Sequence, residues 1–195
     1  MTPLFIAHLG ARGSFSEHAA ELHARRARLE ARFVGASTPA EVLARLTSGA
    51  AALAVLPIAN TSGGLVRASL EALGAQRLEL EDEVVVAVRF TLWARRAELG
   101  LEALTAVASH PQAFRQCARA LARHLPGRAL REWSDTAAAA RDLAAGVLDE
   151  HTAVLASAHA GELYGLAPLL EDVHDEPDNR TFFAVLRRPG AGAVE

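Results

Sequence analysis

The stretch LELEDEVVVAVRFTLWA (residues 78–94) decides the fold. Its first half alternates apolar and acidic residues, the pattern of a strand with one wet face. Its second half is apolar almost throughout, as a strand becomes on entering packed surroundings. We read it as one long strand that runs out of a first lobe into a second.

On the N-terminal side, short apolar runs alternate with helical patterns. LFIAHL (4–9), ARFVGA (31–36) and AALAVLPIAN (51–60) read as buried strands. FSEHAAELHARRARL (15–29) reads as a helix capped by Ser14 or Ser16, and STPAEVLARLTSGA (37–50) as one capped by Ser37 or Thr38. Pro39 sits in the first turn, where its missing N–H costs nothing. A βαβαβ order predicts a mostly parallel sheet covered by helices. A second α/β series follows: LTAVAS, the helix PQAFRQCARALARHL, RALREWS, the helix DTAAAARDLAAGV, TAVLAS and the helix AHAGELYG. The chain returns as the strand RTFFAVLRR (180–188). The expected fold class is therefore α/β, two-lobed, with a cleft between the lobes. Lobe 1 is placed at roughly 1–80 plus the C-terminal return, and lobe 2 at roughly 85–165. Residues 189–195 read as a loose tail.

The 195 residues are 51% hydrophobic but only 5% aromatic, so Ala, Val and Leu must build the core. A formal charge of −3 argues against nucleic acid as a partner. The basic run HARRARLEAR (23–32) reads as a solvated helix face. No stretch approaches the roughly 20 apolar residues that span a bilayer, and MTPLFIAHLG lacks the basic start of a signal peptide. With the single Cys117, the chain reads as cytoplasmic. Cys117 itself falls inside a helical pattern and reads as a buried apolar residue, and Trp93 and Trp133 as sheet-packing residues. The scattered histidines lack the spacing of a zinc site, so no metal is expected.

Hydroxyl residues recur where strands hand over to helices: Ser14, Thr61, Ser62, Ser109, Ser134, Thr136 and Ser157. Each is explained as a helix cap. Together they suggest a ligand site at the carboxyl ends of the strands, where amides and helix dipoles favour a small carboxylate-bearing anion.

These segments, in this order, resemble the catalytic domain of prephenate dehydratase. LGARGSFSEHAA resembles that family's LGPxGTFSxxAA, and AVLPIANTSGG its xVxPIENSxxG. ASHPQAFRQCARAL is similar to SHPQxxxQC, SDTAAAARDLA to STxxAA, and NRTFFAVL to NxTRFxVI. AVLASAHAGELYGLAPLLEDVHD is similar to AAIxSxxAAxxYGLxxLxxxIxD.

The resemblance implies a domain over 1–188 with a fold like the type II periplasmic binding proteins. It implies cofactor-free loss of carbon dioxide and water from prephenate, giving phenylpyruvate in phenylalanine biosynthesis. Arogenate dehydration, non-aromatising decarboxylation and silent binding of a small anion are the alternatives. Thr181 corresponds to the key threonine that assists the departing hydroxyl, with Asn60 and Gln112 the other catalytic candidates. Thr61, Ser62, Ser109, His110 and Arg180 join Ser14, Ser134, Thr136 and Ser157 as substrate-binding candidates. A homodimer is implied.

The motifs differ from this sequence at two points: Ala59 stands where the family has glutamate, and Phe182 where it has arginine. Arg180 or Arg12 is expected to compensate for the lost guanidinium. The sequence shows no phenylalanine-binding regulatory domain of the ACT type after the last strand, so no feedback within this polypeptide is expected.

Overall fold

A computed structural model describes residues 4–190; the expected loose tail lies outside them from residue 191 on. In chain order the elements are β1 (Leu4–Leu9), α1 (Phe15–Arg26), β2 (Ala31–Ala36), α2 (Pro39–Thr47), β3 (Leu53–Asn60), β4 (Gly64–Leu65), α3 (Arg67–Gly74) and β5 (Glu79–Ala87). Then come β6 (Thr91–Ala94), β7 (Ala106–Ser109), α4 (Pro111–Gln116), α5 (Ala118–His124), β8 (Ala129–Glu132), α6 (Thr136–Ala144), β9 (Thr152–Ala156), α7 (Ala158–Leu163), β10 (Ala167–Leu170) and β11 (Arg180–Arg187).

The chain divides into two compact units. The first comprises the chain up to Ala11, Phe15–Ala87 and the chain from Asn179 on; the second comprises Val88–Asp178 with Arg12–Ser14. Each unit is built on its own sheet.

The first sheet runs β2-β1-β3-β11-β5, with β4 beside β3. One face is packed by α1 through Ala19, Ala20 and Ala24, against Ile6, Leu53, Val55, Val84, Phe183 and Val185. The other is packed by α2 and α3 through Val42, Leu43, Leu46 and Leu73, against Ala54, Leu56, Ala184 and Leu186. Alanine on α1 lets helix and sheet approach closely, which suits a chain poor in aromatics. The expectation of a mostly parallel sheet is corrected. β1 pairs in parallel with β2 and β3, but β11 pairs antiparallel with both β3 and β5. The returning strand enters the middle of the sheet rather than its edge.

The second sheet runs β10-β6-β9-β7-β8. It is mixed too, with β7 parallel to β8 and β9, and β6 antiparallel to β9 and β10. Trp93 packs flat against α7. A methyl group added at Gly161 would fall 2.2 Å from the indole, so only glycine admits this approach.

Residues 78–94 are not one strand. β5 stops at Ala87 because its ladder partner begins there, Arg180 standing opposite Ala87. Val88 and Phe90 nevertheless stay buried around exposed Arg89, so the alternation continues past the break and conceals it.

The helix expected over 111–125 is also split, at Cys117, whose φ of −123° is not helical. Asp175 fills the break. Its N–H donates to the Gln116 carbonyl at 2.7 Å, and its carboxylate accepts from the Arg119 and Ala120 N–H groups at 3.0 and 3.3 Å. A side chain distant in sequence thus caps α5, the service normally given by a residue just ahead of the helix.

Candidate functional site

Thr181 and Asn60 meet at the carboxyl end of β3. Between Leu186 and Phe183, β11 pairs with β3 in a constant register, Phe183 opposite Pro57. The register then slips by one, so that Phe182 stands opposite Ala59 and Thr181 opposite Asn60. β3 therefore carries one extra residue, a bulge, next to Pro57. Proline has no N–H for a ladder and is tolerated at such points. Side chains alternate across a sheet, so without the bulge Thr181 would face Ala59 and Asn60 would leave by the other face. The bulge is what brings the two polar groups together.

The Asn60 amide is fully committed. Its Oδ1 accepts from the Ser62 and Gly63 N–H groups at 2.9 and 2.7 Å. Its Nδ2 donates to Asn179 Oδ1 at 2.8 Å, to the Arg180 carbonyl at 3.0 Å and to Thr181 Oγ1 at 2.9 Å. Two turn amides hold the oxygen, which obliges the nitrogen to point at Thr181. Thr181 Oγ1 is consequently an acceptor towards Asn60. Its own proton is given to no acceptor among the described residues, and the side chain is 9% exposed.

The other candidates of the first unit divide by role. Thr61 accepts from the Arg180 N–H at 2.9 Å, while its own N–H donates to the Arg180 carbonyl at 2.9 Å. With Ser62, which is exposed, it lies in the turn between β3 and β4 and not ahead of a helix, correcting the expected junction. Arg180, exposed, and Phe182, half-buried, share the face opposite Thr181, in keeping with strand alternation. The Arg180 guanidinium makes no polar contact among the described residues.

In the second unit, Ser109 is fully buried and its hydroxyl donates to the Leu155 carbonyl at 2.7 Å, tying β7 to β9. His110 caps α4, its Nδ1 accepting from the Gln112 N–H at 3.2 Å. Gln112 accepts from Arg115 through its Oε1. The cap of α6 is Asp135, not Ser134 or Thr136: its carboxylate accepts from Ala137 N at 2.6 Å and Ala138 N at 3.3 Å. A carboxylate outcompetes neighbouring hydroxyls there because it also meets the positive end of the helix dipole. Ser157 accepts from Ala160 N at 3.1 Å and donates to the Gly13 carbonyl at 3.4 Å. Ser14, just ahead of α1, is buried, and Arg12 is exposed, its carbonyl accepting from the Tyr164 hydroxyl at 2.8 Å.

Sequence reasoning passed over Asn179 and Asp135. Both are Asx residues, one immediately before the strand β11 and the other immediately before the helix α6, and that position is the signal that marks them. Cys117 is sealed, and burial, then the negative Asp175, pushes its thiol up to about 12, which rules it out as a nucleophile at neutral pH.

Two α/β units, each on a mixed sheet, with amide and hydroxyl groups gathered at a bulged strand end in the first, define the class of protein by its architecture. The family model for prephenate dehydratase matches residues 6–191, and the chain belongs to that family. The prephenate dehydratase of Mycolicibacterium vanbaalenii is 36% identical over 95% of this chain and 62% of its own length. Arogenate dehydratase 5 of Arabidopsis thaliana is 39% identical over 69% of this chain and 31% of its own. The crystal structure of a prephenate dehydratase in complex with L-Phe from Arthrobacter aurescens superposes with a TM-score of 0.86 at 30% identity, covering 98% of this chain and 63% of that one. The chain thus spans less than two thirds of the length of these relatives. Among the described residues, no helix is long and apolar enough to cross a membrane.

Proposed function

We propose that the protein is a lyase that converts prephenate to phenylpyruvate, carbon dioxide and water without a cofactor. The observation that carries this reading is the state of Thr181. Its oxygen is held by Asn60 at 2.9 Å while its proton has no acceptor among the described residues. In the reaction, the bond to the ring carboxylate breaks and its electrons complete the aromatic ring. The ring hydroxyl is expelled and takes up a proton as water. Aromatisation supplies the driving force, so the protein needs to hold the anion and stabilise charge on the departing oxygen. The Thr181 O–H, aimed by Asn60, supplies a hydrogen bond that strengthens as that charge grows. Asn60 acts through Thr181 and is a positioning residue. We place the protein in the cytoplasm, as a homodimer.

Incubating the protein with prephenate and reading phenylpyruvate by its absorbance in alkali tests the assignment. An aromatic keto acid is expected, and an unaromatised product, or no product, overturns it. Arogenate belongs in the same assay, since an arogenate dehydratase is among the relatives; phenylalanine as product would shift the substrate and leave the role of Thr181 intact.

A further inference from the structure

Asn179, the residue just before β11, uses only the acceptor half of its side chain. It is 2% exposed. Its Oδ1 accepts from Asn60 Nδ2 at 2.8 Å and from the Thr61 hydroxyl at 3.5 Å. Its Nδ2 is buried and has no acceptor among the described residues. The amide cannot simply be inverted. Ser62 and Gly63 pin the Asn60 oxygen, so inversion at Asn179 would set two NH2 groups against each other.

Backing up Asn60 does not by itself call for an asparagine. Aspartate would accept the same two hydrogen bonds and leave no donor stranded, whereas burying an unpaired N–H is unfavourable. The retained donor belongs to a side chain that shares a single hydrogen-bonding nitrogen with Thr181. A neutral donor there also suits an anion that an aspartate would repel. We propose that Asn179 donates this N–H to an oxygen of the bound carboxylate-bearing substrate, beside the hydroxyl of Thr181. The assignment rests on the dehydratase reading and makes Asn179 a substrate-touching residue rather than a support for Asn60.

The test compares wild type, Asn179→Asp and Asn179→Ala by prephenate turnover, by prephenate binding in titration calorimetry and by thermal unfolding. Aspartate keeps the acceptor for Asn60 but has no donor at neutral pH; alanine has neither. Loss of the donor is common to both, so both should lose roughly 10²-fold in kcat/KM, the scale for one donor aimed at developing charge. Asn179→Asp should do so with its unfolding temperature close to wild type. A loss confined to Asn179→Ala would reduce Asn179 to an anchor for Asn60. A loss confined to Asn179→Asp would show only intolerance of charge, and either result, like no loss in both, overturns the proposal. Should wild type leave prephenate unconverted, the dehydratase reading fails. The calorimetric comparison then decides the donor separately: weaker binding in both variants supports it, and unchanged binding removes it.

Discussion

Replacing Thr181 by valine keeps the β-branched shape that β11 packs and deletes the hydroxyl that Asn60 holds at 2.9 Å. We expect kcat to fall by about 10²–10⁴-fold, the span for proton-donating assistance to a leaving group, with little change in the unfolding midpoint. Serine at 181 should recover most of the rate. A valine variant with wild-type turnover would show that Asn60 is aiming its amide at an idle group. At the same scale, Cys117 yields a pH dependence. Its thiol is raised from the ordinary 9.0 to about 12 by burial and, secondarily, by Asp175. The folded protein therefore holds the proton longer than the unfolded chain does. Below about pH 9 both forms are neutral and nothing is lost. Above it the unfolded chain ionises first, so stability declines as pH rises towards 12, by up to roughly 4 kcal/mol. Denaturant unfolding of wild type and Cys117→Ala at pH 8 and 11 should show a steeper decline in wild type. Native protein should also resist thiol alkylation at pH 8.

Among the secondary-structure elements, the two departures from the family motifs turn out to be neighbours. Phe182 stands directly opposite Ala59, and the row continues to Val85 on β5 and Leu65 on β4. Both lie on the face away from Thr181, so the missing arginine is not missing from the threonine's surroundings. Ala59→Glu and Phe182→Arg should each destabilise on their own. Combined, they should regain about 0.2–1 kcal/mol relative to additivity, the worth of an opposite-charge cross-strand pair. Additive losses in a denaturant double-mutant cycle would contradict this pairing. The register itself was not legible in the sequence. LAVLPIAN announces a strand, but the extra residue beside Pro57 has meaning only against β11, which is more than a hundred residues further on. The same holds for the break at Cys117, made by Asp175, and for the end of β5, set by where β11 begins. α3 went unread because its only partly buried face lacks a strong apolar stripe. By contrast the cap of α2 was legible to within one residue, as Ser37 or Thr38, because capping is local; Thr38 is the one that caps, accepting from Glu41 N at 3.2 Å.

For the molecule as a whole, the two-part α/β organisation was readable because each part repeats short apolar runs against helical ones. Which strands lie side by side was not, and the middle position of β11 is the main case. A chain ended after Asp178 lacks the strand between β3 and β5. Its first unit is expected to lose protection in hydrogen exchange across β1, β3 and β5, far beyond the residues removed. Protected amides there would show that the strand is peripheral to stability.

That placement has a consequence for biogenesis. The strand that joins β3 to β5, and the hydroxyl at its tip, leave the ribosome after the other elements of both units, so a copy stopped before Asn179 exposes raw sheet edges. Quality control needs no separate mark to find such products: the missing strand by itself makes them adhesive.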